Sequence, residues 1–126
     1  MNTDVDELPL VLVVDDNLDA SEVLALLIET EGFAATTART LAQARELIAR
    51  RRPRLVFLDV HLPDGNGLEL LADVKTDPGT AGIRVAMLSG MMDDRVREQA
   101  QRQGASDYIV KPLGHEQLTA LLDAVR

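Results

Sequence analysis

The sequence predicts an α/β domain: a parallel sheet of five strands with helices on both faces. Short apolar runs alternate with helical patterns five times along 126 residues. Three of the runs are almost wholly apolar, as strands buried on both faces must be. Successive strand–helix units of this kind connect by right-handed crossovers, which makes neighbouring strands parallel.

The first strand is Leu10 to Val14. A helix follows with Ala20, Val23, Leu24, Leu27 and Ile28 on one face, ending at Gly32. The run FAATTA is a weaker second strand. Thr40 with Gln43 reads as a capping box opening a second helix through Leu47 and Ile48, which Pro53 stops. Leu55 to Asp59 is the third strand, and HLPDGNG after it is a loop dense in Pro and Gly. Leu68, Leu71 and Val74 mark a short third helix ended by DPG. VAMLS is the fourth strand, followed by a helix from about Met92 to Gln103 with Gly104 as its stop. DYIV is the fifth strand, and Leu118, Leu121, Leu122 and Val125 mark the last helix. The second and fifth strands, shorter or more polar, suit the edges of the sheet.

Length and charge narrow the possibilities. The chain is the size of one domain, expected to span 1–126, with no internal repeat or linker. Met1 suggests a natural start, and a further domain would lie beyond the last helix. Cysteine is absent, which excludes disulfides and thiolate chemistry. No apolar run approaches the ~20 residues of a membrane span, and the amino end lacks a basic, then apolar, leader. A soluble, cytoplasmic protein is expected. Thirteen Lys and Arg against 21 Asp and Glu give a net charge of −8, a field that repels phosphate backbones and anionic lipid. Neither nucleic acid nor membrane is an expected partner. The one dense basic stretch, Arg50, Arg51, Arg52 and Arg54, reads as the solvated end of a helix.

Reactive side chains converge on one rim of the sheet. Asp15 and Asp16 follow the first strand, Asp59 ends the third, Ser89 ends the fourth, and Lys111 follows the fifth. In open α/β sheets ligands bind outside the carboxyl ends of the strands. Two unit charges ~4 Å apart repel by about 4 kcal/mol at an effective dielectric near 20, so three clustered carboxylates need a cation or a proton. Oxygen ligands favour a hard ion, and a site with few protein ligands suits Mg²⁺. Capping of the first helix would account for one of Asp15 and Asp16, and poorly for both. Pro63, Gly65 and Gly67 let the following loop turn tightly around Asp59. A carboxylate beside Mg²⁺ fits a nucleophile toward a phosphoryl donor, with Lys111 and Ser89 addressing the phosphoryl oxygens.

The segments VVDDN, LVFLDVHLPDGNG, MLSG and GASDYIVKP, in that order and spacing, resemble the receiver domain of bacterial response regulators. The resemblance implies a flavodoxin-like doubly wound (βα)5 sheet of order 2-1-3-4-5. It implies that Asp59 is the phosphoacceptor, and that Asp15, Asp16, Asp59 and the backbone carbonyl of His61 hold the divalent ion. The His61 imidazole is then incidental. It makes Ser89 the hydroxyl residue, Lys111 the conserved-type lysine and Tyr108 an aromatic switch. A cis Lys111–Pro112 bond is expected on the same ground.

The expected function is a switch in a two-component phosphorelay rather than a conventional enzyme. A histidine kinase or phosphotransfer protein donates. The face made by the fourth helix, fifth strand and fifth helix then changes, to regulate a partner or output domain or to form a homodimer. Two other readings fit less well. A haloacid-dehalogenase-type phosphatase needs a second Asp where His61 stands, and a dinucleotide-binding domain needs a Gly-rich first turn where DDNLDAS stands.

Overall fold

The computed structural model describes residues 8–126, so what was expected of the start at Met1 lies outside the described residues. Five strands form one parallel sheet: β1 (Leu10–Val14), β2 (Ala34–Ala38), β3 (Leu55–Asp59), β4 (Arg84–Ser89) and β5 (Asp107–Val110). Their order across the sheet is β2-β1-β3-β4-β5. Five helices alternate with them: α1 (Leu18–Thr30), α2 (Leu41–Arg51), α3 (Gly67–Thr76), α4 (Asp94–Arg102) and α5 (His115–Asp123). This is the flavodoxin-like arrangement, with the strand order reversing between β1 and β3.

Alternation along the strands builds two cores from one sheet. Leu12, Val14, Val56, Leu58, Val85 and Met87 face one side, against Leu41, Ile48, Leu70, Leu71 and Val74 of α2 and α3 and Ala100 of α4. Val11, Val13, Leu55, Phe57, Ala86 and Leu88 face the other, against Ile28 of α1 and Leu118, Leu121 and Leu122 of α5. All residues of β1 and β3 are buried, and β2 is only half-buried except at Ala38. Truncating a fully buried Phe57 would cost about 3–5 kcal/mol, a large share of a domain's stability.

Two helices differ from expectation. On α1 the residues turned to the sheet are Ser21, Leu24, Ala25 and Ile28, one position round from the expected face. Val23, Leu26 and Leu27 are exposed. Ser21 fits inside because it is small and its hydroxyl donates to the Leu18 carbonyl at 3.0 Å. The fourth helix starts later than Met92, because Asp93 caps it, accepting from Arg95 N and Val96 N at 3.0 and 3.3 Å. Met92 is left outside and exposed, so the apolar stripe of α4 reduces to half-buried Val96 and buried Ala100. All four arginines of the basic stretch are exposed as expected, and Arg52 and Arg54 also donate to the carbonyls of Gly79 and Val125.

HLPDGNG is more ordered than a plain loop. His61–Leu62 pairs antiparallel with Gly65–Asn66, so Pro63 and Asp64 form the tip of a small hairpin. The Asp64 carboxylate accepts from Leu41 N at 2.8 Å and Ala42 N at 3.1 Å, at the amino end of α2. The Leu41 N–H is the main reason this carboxyl lies below its ordinary 3.8. A depressed folded value means stabilisation that is complete above the ordinary value and lost as pH falls through the folded one. Asp64→Ala should therefore lower the melting temperature at pH 7, and the gap to the parent should close as pH is taken below 4. Parallel thermal melts across that range check it.

Candidate functional site

The carboxyl ends of β1 and β3 flank the point where strand order reverses, and a crevice opens there. β1 delivers Asp15 and Asp16 to it, and Asp59 is the last residue of β3. Carboxylate oxygens from all three lie within 4.8 Å of one another. Asp15 and Asp59 are 4% and 8% exposed, while Asp16 faces solvent. Capping of α1 falls to Asn17, whose side chain accepts from Ala20 N at 3.0 Å. The acidic pair is thus released from the capping role that was its simplest alternative.

Lys111 reaches in from the end of β5. Its ammonium stands 3.1 Å from Asp15 Oδ2 and 3.1 Å from Asp59 Oδ2, bridging the two buried acids. Burial pushes the Lys111 ammonium toward losing its proton, but hydrogen bonds and charge from Asp15 and Asp59 outweigh it and raise its pKa. For Asp59, burial is the largest influence and lifts the carboxyl above its ordinary 3.8; Lys111 opposes this and Asp15 adds to it. Asp59 is therefore a carboxylate held short of compensating charge. The peptide bond from Lys111 to Pro112 is cis, as the resemblance implied.

The backbone behind Asp59 has no slack. Gly67 N donates to the Val60 carbonyl at 2.6 Å, and a Cβ on Gly67 would collide with the Asp59 carbonyl oxygen. Only glycine fits there. His61 sits in the hairpin with an exposed side chain, opposite Asn66. Asn66 caps α3, accepting from Leu68 N at 2.8 Å.

On the neighbouring strand Ser89 is buried, and its hydroxyl donates to the Met91 carbonyl at 2.8 Å. The Tyr108 hydroxyl, on the adjacent strand β5, donates to the same Met91 oxygen at 3.3 Å. Ser89 was expected at the site and Tyr108 as a switch beside it; their shared acceptor was not expected. Neither it nor the Asp64 cap leaves a mark in sequence spacing, because both join residues through the fold. Asn66, an Asn directly before a helix, is a cap that sequence could have shown.

A family model described as the response regulator receiver domain matches residues 11–123. The chain belongs to that family. PhoB of Pseudomonas aeruginosa, a phosphate regulon transcriptional regulatory protein, is 36% identical to this receiver domain over 115 residues, covering 91% of this chain and 50% of PhoB. The nitrogen assimilation regulatory protein NtrX of Azorhizobium caulinodans is 37% identical over 115 residues, 90% of this chain and 25% of its own length. The receiver domain thus spans half or less of these relatives. Among solved structures, the NtrX receiver domain of Brucella abortus superposes with a TM-score of 0.82 at 34% identity, covering 91% of this chain and 96% of its own. A response regulator from Burkholderia pseudomallei, solved with a phosphorylated aspartic acid, a calcium ion and citrate, superposes at 0.82 with 27% identity, covering 94% of this chain and 66% of its own.

The donor set fits a divalent cation. It consists of carboxylate oxygens without sulfur, two of the three acids are buried, and together they exceed the single ammonium facing them. The same imbalance makes a prediction about stability. Ionised Asp59 is disfavoured by the fold, so Asp59→Asn should melt a few degrees higher than the parent in the absence of divalent ions. Calorimetry in EDTA checks this, and a lower melting temperature would show that Lys111 compensates Asp59 fully.

Proposed function

We propose that Asp59 accepts a phosphoryl group and that the domain is a phosphorylation-controlled switch. The observation that carries this is the cluster itself: three carboxylates within 4.8 Å at the switch point, with Lys111 bridging two of them. A carboxylate oxygen of Asp59 attacks phosphorus, the bond from phosphorus to the donor nitrogen breaks, and the electron pair leaves on the imidazole of a phosphohistidine. The product is an acyl phosphate, which water later hydrolyses, so the domain is a switch and not a conventional enzyme. Asp15, Asp16, Asp59 and the carbonyl of His61 would hold Mg²⁺, leaving the His61 imidazole unused. The ion would supply positive charge to the carboxylates and to the incoming phosphoryl oxygens. Lys111 carries a fixed charge that can pass from Asp59 to a phosphoryl oxygen. The aspartyl phosphate of the Burkholderia relative supports the assignment by analogy.

The donor would be a histidine kinase or phosphotransfer protein in the cytoplasm. A groove of about 540 Å³ runs beside the site, lined by Ala20, Val23, Leu24 and Leu27 of α1 and by Pro112 and Leu113, with Asp15 and Lys111 at its inner end. An apolar helix laid there would bury the exposed face of α1 while bringing its phosphoryl group to the rim.

The signal would leave through Ser89. Its proton is held by the Met91 carbonyl, which also takes the Tyr108 proton. A phosphoryl oxygen that claims the Ser89 hydroxyl removes one donor from that carbonyl and draws the 89–92 segment toward Asp59. Tyr108 then has a different partner to seek, and the face made by α4, β5 and α5 changes by a population shift. That face would meet an output domain, a partner or a second copy.

Two experiments test this reading. Intact-mass analysis after acetyl phosphate treatment should show an acid-labile adduct on the parent and none on Asp59→Asn, and EDTA should abolish it. An equal adduct on the variant overturns the acceptor assignment. Separately, Ser89→Ala should still be phosphorylated, yet show smaller beryllofluoride-induced amide shifts at Tyr108 and along α4. A full response in that variant would mean that the signal takes another route.

A further inference from the structure

The hairpin that follows Asp59 is tied at its base and also at its tip. At the base, Val60 N donates to the Leu88 carbonyl at 3.0 Å and Gly67 N to the Val60 carbonyl. At the tip, the Asp64 carboxylate spans two amides of α2, at 2.8 and 3.1 Å, across 23 and 22 residues of chain. Gly65 brings the tip against the helix: its φ is +151°, and a Cβ there would press on Leu41 Cδ1 at 2.8 Å.

Thr40 caps α2 locally, accepting from Gln43 N at 3.1 Å, while Gln43 Oε1 accepts from Arg39 N at 2.7 Å. Asp64 takes the two first-turn amides that Thr40 leaves, Leu41 N and Ala42 N, so the same bonds that finish the cap also restrain the hairpin. The carboxylate is held there by two N–H groups and by the positive end of the helix dipole. His61 lies three residues before Asp64 in the same hairpin, so the clamp limits where the His61 carbonyl can stand relative to Asp59.

We propose that Asp64 is a positioning residue for the ion site, clamping the 60–66 hairpin and the His61 carbonyl to the amino end of α2. This rests on the ion-site reading given above. Groups that only orient metal ligands typically cost 10–100-fold in affinity when lost, and Asp64 acts through a hairpin rather than a direct hydrogen bond. Asp64→Ala should therefore weaken Mg²⁺ binding by about three- to tenfold. Asp64→Asn keeps an acceptor oxygen for Leu41 N and should recover most of the loss.

The measurement is a Mg²⁺ titration followed by amide NMR shifts at Asp15, Asp16, Asp59 and His61, with Thr40→Ala as control. Thr40→Ala removes the local cap and should lower the melting temperature while leaving Mg²⁺ affinity at the parent value. If the parent binds Mg²⁺ and Asp64→Ala binds it equally well, the positioning role is wrong and the ion site stands. If Thr40→Ala weakens binding as much as Asp64→Ala, the effect belongs to α2 as a whole and the inference fails. A parent with no Mg²⁺-dependent shift at the three acids overturns the ion site and this inference with it.

Discussion

Lys111 spans Asp15 and Asp59 at 3.1 Å each, and this bridge ties the ends of β1, β3 and β5 into one site. Without it, two buried carboxylates would face each other in a crevice that already holds a third. Buried charge pairs rarely stabilise a fold, because desolvation consumes most of what attraction returns. The bridge is therefore better understood as a local compensation for the acids than as a source of stability. It is also incomplete, since burial still lifts Asp59 above its ordinary value. A centre left short of positive charge is one that a divalent cation would complete.

Stability comes from elsewhere, and the separation is visible in the strands. Each central strand spends its middle on two apolar cores and its carboxyl end on the site. Leu58 is fully buried in one core and Asp59 follows it at the rim; Leu88 is buried in the other and Ser89 follows. The rim residues inherit a rigid scaffold without contributing much to it. Gly67 shows how tight that scaffold is, since a single added carbon would meet the Asp59 carbonyl.

Much of this was legible in sequence for a physical reason. Apolar periodicity and strand-end position are local properties, so the five strands and the convergence of Asp15, Asp16, Asp59, Ser89 and Lys111 could be read directly. The strand order could not, and came only with the family resemblance. The face of α1 was misjudged because Val23 and Leu27 are apolar yet exposed, while Ser21 is polar yet buried. Hydrophobicity alone cannot rank those positions when a small hydroxyl satisfies itself on its own helix. The start of α4 was misjudged because Asp93 caps more strongly than Met92 packs.

What sequence could not show at all are the contacts that join distant segments, and those are the ones that give the site its possible responses. The Met91 carbonyl accepts hydrogen bonds from both Ser89 and Tyr108, so in the proposed switch a change at the first hydroxyl would reach the second through one shared acceptor. Coupling of this kind needs an element that can settle in more than one place. The segment after β4 is the lightly held one: Met91 and Met92 are 69% and 60% exposed, and the apolar stripe of α4 is Val96 and Ala100. The hairpin after β3 is built the opposite way, pinned at both base and tip. One rim of the sheet thus carries a held loop beside the acids and a loosely held one beside the hydroxyl. Chemistry on the first could then be converted into movement of the second.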